Sequence, residues 1–266
     1  MEIVGYLASV LIGVSLGLIG GGGSILTVPV LVYLFGESPE ISTAYSLFVV
    51  GTTALIGGIR NATLGHVHYK TAVAFALPAI IAVYLTRAYL VPAIPAEIAL
   101  FDFYNVTKDA AIMTFFAVVM FAASVSMIKN TKQFTLATKR STTKLNILVI
   151  LAEGTAVGII TGLVGAGGGF LIIPALVIFA KLPMKKAIGT SLIIIAAKSL
   201  IGFTGDLQRT DLEIDWTLLL GVTSFAVVGI FVGIYLTKFI DGNTLKKAFG
   251  LLVLLMAILV ILKQIF

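Results

Sequence analysis

The sequence predicts an all-α polytopic membrane protein built as two inverted repeats of five helical segments each. Three observations carry that prediction. The 266 residues are 59% hydrophobic and 11% charged, with mean hydropathy +1.12, whereas soluble domains carry about 25% charged and 45–50% apolar residues. A glycine-rich break, Gly17-Leu18-Ile19-Gly20-Gly21-Gly22-Gly23-Ser24 with Pro29 behind it, returns 145 positions later as Gly162-Leu163-Val164-Gly165-Ala166-Gly167-Gly168-Gly169 with Pro174. Finally, equivalent loops of the two halves carry opposite charge bias. Nearly all the length is taken by apolar runs, which leaves no room for a separate soluble catalytic domain. The absence of cysteine excludes disulfides, Cys-ligated zinc, iron–sulfur clusters and thiol catalysis. The +6 net charge is explained by loop topology, not by nucleic acid.

The first repeat covers residues 1–128. Its opening run, 3–35, would be about 50 Å long as one helix, against a membrane core of about 30 Å. It must fold back at the glycines, giving a first arm at 3–19 and a second at 24–35. The second arm is short for a crossing, which favours a re-entrant hairpin over two ordinary helices joined by a glycine turn. Met1-Glu2-Ile3 lacks the basic start of a secretory signal, so this run is expected to be retained. Helices are expected at about 42–60, 70–90 and 110–128, with a kink at Pro78. The intervening loops hold Arg60, His66, His68 and Lys70, then Pro92, Pro95, Glu97, Asp102 and Asp109. Residues 129–144 form a basic linker. The second repeat, 145–266, has a hairpin at 145–180 and helices at about 187–205, 216–238 and 244–265. The match between repeats extends past the glycines: Ala44-Tyr45-Ser46-Leu47 aligns with Gly189-Thr190-Ser191-Leu192, and Gly57 with Gly202. Two copies of this size suit a duplicated transporter-type fold rather than a solenoid.

Loop charge sets the orientation, because cytoplasmic loops are enriched in Lys and Arg. The turn at 36–41 holds two acids where its counterpart at 181–186 holds three lysines. The loop at 60–70 holds Arg60 and Lys70 where 206–215 is acidic. Placing loops 60–70, 129–144, 181–186 and 238–247 inside puts most basic residues inside, most acids outside, and both termini outside. That bookkeeping requires each broken run to enter and leave on one side.

A helix start presents unpaired N–H groups and roughly half a positive charge. Two such starts, at Ser24 and Gly169, facing one cavity would attract an anion, and glycine lets backbone approach it closely. The expected binding residues are Gly20, Gly21, Gly22, Gly23, Ser24, Thr27, Ser46 and Thr53 from the first repeat. The second repeat contributes Gly165, Ala166, Gly167, Gly168, Gly169, Ser191 and Lys198. Close helix packing is the competing explanation for small residues, and suits Gly13 and Gly17 well. A dinucleotide fingerprint is excluded by the lack of a strand–helix–strand context.

Lys198, deep within an apolar helix, needs a partner or a task. It reads as the substrate's counter-charge, with a structural ion pair or a snorkelling lysine as the alternative; its repeat equivalent is Thr53. Glu153 is the one acid inside an apolar run, a candidate carrier of a coupling proton, a partner for Lys198, or a group facing the water interface. Arg87, near a helix end, is expected to snorkel, with facing the substrate as the alternative. His66 and His68 lack neighbouring ligands, and no metal or cofactor is expected. Asp215 is placed to cap the following helix, Trp216 to anchor at the interface, and Asn105-Val106-Thr107 is a short glycosylation-type pattern.

The two glycine motifs with their prolines, and Ala187-Ile188-Gly189-Thr190-Ser191-Leu192 after the second, resemble the TauE/SafE sulfite exporter family over essentially the whole chain. The resemblance implies a transporter, an exporter by the family's name, of sulfite, sulfonates or related organic acids. The sequence reading is therefore a secondary transporter of a small anion working by alternating access, not an enzyme. Its partners are the lipid bilayer, the anion and a coupling ion such as a proton. The rivals are an anion channel, an intramembrane enzyme and a structural membrane subunit.

Overall fold

A computed structural model describes residues 2–21, 23–101, 104–129, 147–178, 180, 182–209, 212–237, 239 and 242–265. The linker expected at 129–144, apart from Lys129, and Gly22, Lys181 and Asp211 lie outside the described residues.

Among the described residues, ten helical segments follow one another. They are α1 (Glu2–Ile19), α2 (Ser24–Val30), α3 (Pro39–Thr63), α4 (Tyr69–Leu85), α5 (Lys108–Lys129), α6 (Ile147–Val164), α7 (Gly169–Ile178), α8 (Met184–Leu207), α9 (Trp216–Leu236) and α10 (Gly242–Ile265). Wider π-type turns extend α2 through Leu31–Phe35 and α4 through Thr86–Leu90, and a last turn at Val91–Ala93 ends α4. Five of these spans are long and apolar enough to cross a membrane: α3, extended α4, α5, α8 and α9.

Local chemistry fixes the ends. Gly36, at φ +79°, closes the extended α2 in the left-handed conformation that glycine adopts without strain. Ser38 then accepts from the Ile41 N–H, with Pro39 at the first helical position of α3. The His68 ring accepts from the Thr71 N–H to start α4, and Asp215 accepts from Thr217 and Leu218 to start α9, as expected from sequence. Trp216 packs edge-on against Phe48 and Phe203 at that end. α4 runs through Pro78, and its irregular turn comes later, at Thr86–Leu90. The loop expected at 91–109 contains a small antiparallel hairpin, β1 (Glu97–Phe101) and β2 (Tyr104–Thr107), with Glu97 opposite Thr107.

Glycines set how the helices run past one another. Gly13 lies on the Ala226 carbonyl and Gly17 on Gly233, so α1 and α9 run in the same direction in close contact. Gly154, Gly158 and Gly162 meet Phe75, Ala79 and Thr86, so α6 and α4 also run together. By contrast Gly51 meets Leu200, Gly58 meets Ile193 and Gly189 meets Asn61, so α3 and α8 cross the core in opposite directions. The major pairings α1–α9, α4–α6, α3–α8, α3–α9, α4–α8 and α5–α10 are unchanged when α1–α5 are exchanged for α6–α10.

α1 lies along nearly the whole of α9, from Tyr6 against Gly221 to Gly17 against Gly233. The chain then doubles back: Gly23 packs against Ile12, Ser15 and Leu16, so α2 begins about half-way along α1. Phe35 closes the hairpin against Gly5 and Tyr6. The hairpin arms are therefore unequal in depth, a long first arm followed by a half-length return. The same face carries the start of α3, the ends of α4 and α8, and the start of α5, joined by Lys108–Glu40. Lys263, near the end of α10, lies over the Tyr33 ring and reaches that face as well.

Candidate functional site

Each break starts with a matching helix end. The Gly20 N–H bonds to the Leu16 carbonyl and the Gly165 N–H to the Thr161 carbonyl, both at 2.7 Å and both in the left-handed conformation. The two breaks meet. A Cβ on Gly21 would lie 2.6 Å from the Gly169 Cα, and one on Gly167 would lie 3.1 Å from the Ser24 Cβ. Only residues without a side chain fit where Gly21 and Gly169 touch.

α3 and α8 wall this junction with equivalent faces. On α8, Ile188 lies against Gly20, the Ser191 hydroxyl donates to the Gly20 carbonyl at 2.7 Å, and Ile195 lies against Gly169. On α3, Thr43 lies against Gly165 and Val50 against Gly167. Ser46, three residues after Thr43, shares that helix face. Ser191 is thus partnered, whereas the Ser46 hydroxyl is buried without a hydrogen-bond partner, and so is that of Thr27 on α2. Ser24 and Thr53 spend their protons within their own segments, on the Gly21 and Val49 carbonyls. Ala166 is buried in the second break.

Lys198 stands at this junction. It is 0% exposed, and its Nζ donates to the Thr161 hydroxyl at 2.6 Å. Gly168, at φ +60°, passes so close that a Cβ there would lie 2.8 Å from Nζ. Among the described residues no carboxylate pairs with it. The pairing with Glu153 considered from sequence is not made. Glu153 precedes Thr161 by eight residues on α6, about 12 Å along the axis. It is half-buried, with one carboxylate oxygen unpartnered. The ammonium therefore has one hydroxyl for company and three donors to satisfy.

A second charged group was not legible from sequence. Arg87, expected to snorkel, is 0% exposed, and its Nη1 faces Asp206 Oδ1 at 3.5 Å. Asp206, assigned to an acidic loop, instead lies in the last turn of α8 and is equally buried. Outside this pair, Glu40 bridges Lys108 at 2.8 Å and Arg209 at 2.6 Å. The signals available were an arginine in an apolar run and Gly205 beside Asp206; Gly205 packs against the Arg87 Cβ. Neither says that Glu40, at the start of α3, and Arg209 come within electrostatic reach of the pair. His66 and His68 go to local structure: the His66 carbonyl lies against Gly189, and the His68 N–H donates to Thr190. Among the described residues no cluster of His, Cys, Asp and Glu could hold a metal ion.

The model of the family "Sulfite exporter TauE/SafE" matches residues 6–261. The chain belongs to the TauE/SafE family. A "Probable membrane transporter protein" of Xylella fastidiosa (strain 9a5c) is 32% identical over 94% of this chain and 91% of its own. "Probable membrane transporter protein YunE" of Bacillus subtilis is 24% identical over 94% and 93%. The B. subtilis YdhB protein, also named a probable membrane transporter, is 35% identical over 44% of this chain and 46% of its own. No solved structure gives a significant match. With its family and, among the described residues, five membrane-length apolar helices, the chain is a multi-pass membrane protein.

Proposed function

We propose that the protein is a secondary transporter that exports a small anion, such as sulfite, a sulfonate or a related organic acid. The observation that carries this reading is Lys198: a fully buried ammonium with one hydroxyl partner, pressed against the second glycine break where it meets the first. A buried cation without a counter-ion is costly, so an arriving anion supplies the missing charge. The half-length helices that start at Ser24 and Gly169 add N–H groups, and the unpartnered Thr27 and Ser46 hydroxyls add donors. Gly20, Gly21, Gly23 and Gly165 to Gly169 form the cradle, with Thr53 and Ser191 on its walls. The family's name, sulfite exporter, supports this cargo and direction.

The opposite directions of α3 and α8 support an inverted repeat, with the two hairpins entering from opposite faces and moving alternately. Exposed Arg60, Lys70, Lys185 and Lys186 lie at one face, and exposed Glu97, Glu213 and Asp215 at the other. The first face is thus the cytoplasmic one, which puts both termini outside. The test is a thermal-shift screen of purified protein against sulfite, methanesulfonate, acetate, sulfate and phosphate. Stabilisation by sulfite or methanesulfonate that Lys198→Met markedly weakens is the expected result; no stabilisation by any anion contradicts the proposal.

A further inference from the structure

We propose that Arg87 and Asp206 form a second, outer site that takes the anion together with a proton. The inference rests on the anion-transport reading for its cargo, but on different residues. Arg87 uses Nη1 toward Asp206, while its Nε and Nη2 have no hydrogen-bond partner despite complete burial. Those two nitrogens form one edge of the guanidinium fork, the geometry that receives two oxygens of a carboxylate or sulfonate side by side. Asp206 is left open in the complementary way: its Oδ2 is buried with no hydrogen-bond partner. Three unpartnered buried atoms in one ion pair would be expensive if the pair served only to hold helices together.

Position links this pair to the pathway. Asp206 follows Lys198 by eight residues on α8, so the two lie about 12 Å apart along the axis. Beyond the pair toward the outer face comes Glu40 with Lys108 and Arg209, whose side chains are 18%, 13% and 8% exposed. An anion moving between Lys198 and that face passes Arg87 behind this partly open triad.

Charge decides that a proton must come too. The groups acting on Asp206 are Arg87, Arg209 and Glu40, and Glu40 in turn carries Lys108 and Asp109 beside it. That is three cations against three acids. The cluster is already balanced, so an added monoanion would leave a net negative charge in a buried place. Protonation of Asp206 at its open Oδ2 restores neutrality and frees the guanidinium for the cargo. The anion and proton then bind as a neutral pair.

The test is isothermal titration of purified full-length protein with methanesulfonate and with acetate, each in two buffers of different ionisation enthalpy. Sulfite titrates near neutral pH and is left out of the proton count. Wild-type protein is expected to take up about one proton per anion bound at the outer site. Arg87→Lys keeps the charge but loses the two-nitrogen edge, and should weaken that binding roughly tenfold or more. Asp206→Asn should keep the anion at the outer site and lose the proton uptake, whereas Lys198→Met should lose the inner-site binding and keep the outer-site anion with its proton. Binding without proton uptake, uptake that survives in Asp206→Asn, uptake lost instead in Glu153→Gln, or Arg87→Lys titrating like wild type would each overturn the outer site. If Asp206→Asn fails to fold, the Arg87→Lys titration still decides. Loss of binding in Lys198→Met alone would leave the inner site standing and the outer one refuted. Loss in Arg87→Lys alone would do the reverse, and no binding of either anion by wild-type protein refutes both.

Discussion

Lys198→Met separates a structural lysine from a working one. A lysine at mid-membrane costs about 2.5–3.5 kcal/mol on insertion scales. Methionine removes that cost in nearly the same volume. It also gives up the bond to Thr161 and leaves a buried hydroxyl, a loss of about 1–3 kcal/mol. The two effects nearly cancel, so the anion-free variant should be as stable as wild type or more stable by about 1 kcal/mol. Binding should respond differently. A hydrogen bond to a charged group contributes about 1.5–3 kcal/mol, so affinity for sulfite or methanesulfonate should fall roughly 10- to 150-fold. The assay is thermal unfolding in detergent across an anion titration, which reads both quantities from one series. A variant that unfolds far below wild type, yet is stabilised by the same anions at the same concentrations, would show that Lys198 only supports the fold.

Three further outcomes follow from named contacts. Gly168→Ala puts a side chain at φ +60°, against Thr161 Oγ1 and Lys198 Nζ; the conformation alone costs about 1–2 kcal/mol, and transport should drop with it, read as efflux normalised to folded protein. The chain has no cysteine, so Thr63→Cys and Glu213→Cys can be labelled singly in cells. An impermeant maleimide should reach position 213 from outside and position 63 only after permeabilisation. Burial first, and the charge of Asp215 second, raise the Glu37 carboxyl above its ordinary 4.5. A raised carboxyl contributes stability below its unfolded value and loses it as pH rises through the folded one, so Glu37→Gln should flatten the decline in unfolding temperature as pH rises above the ordinary 4.5.

The residues that break helices were the most readable part of this chain. Glycine at φ +72° or +75° after Val164 or Ile19 has a local cause, and so do the caps at Ser38 and Asp215. Lys198 was legible because a charge in the middle of an apolar helix has nowhere to go. Arg87 and Asp206 were not, because each sits near a helix end, where snorkelling or a solvated loop is the ordinary outcome. Gly205 lets α4 close on α8, and Glu40 and Arg209 stand within electrostatic reach of the pair, neither of which the local sequence announces. The depth of the hairpins also depended on tertiary packing. The run 3–19 is apolar with or without α9 beside it, but only the Gly13 and Gly17 contacts carry α1 along the full partner helix.

The central claim is that an anion crosses by way of Lys198 and the paired glycine breaks. Proteoliposomes loaded with sulfite or methanesulfonate test it directly, with efflux followed as internal concentration is raised. Saturable efflux in wild type that Lys198→Met largely abolishes is the predicted result. Efflux that rises without saturation, or that Lys198→Met leaves unchanged, would contradict it.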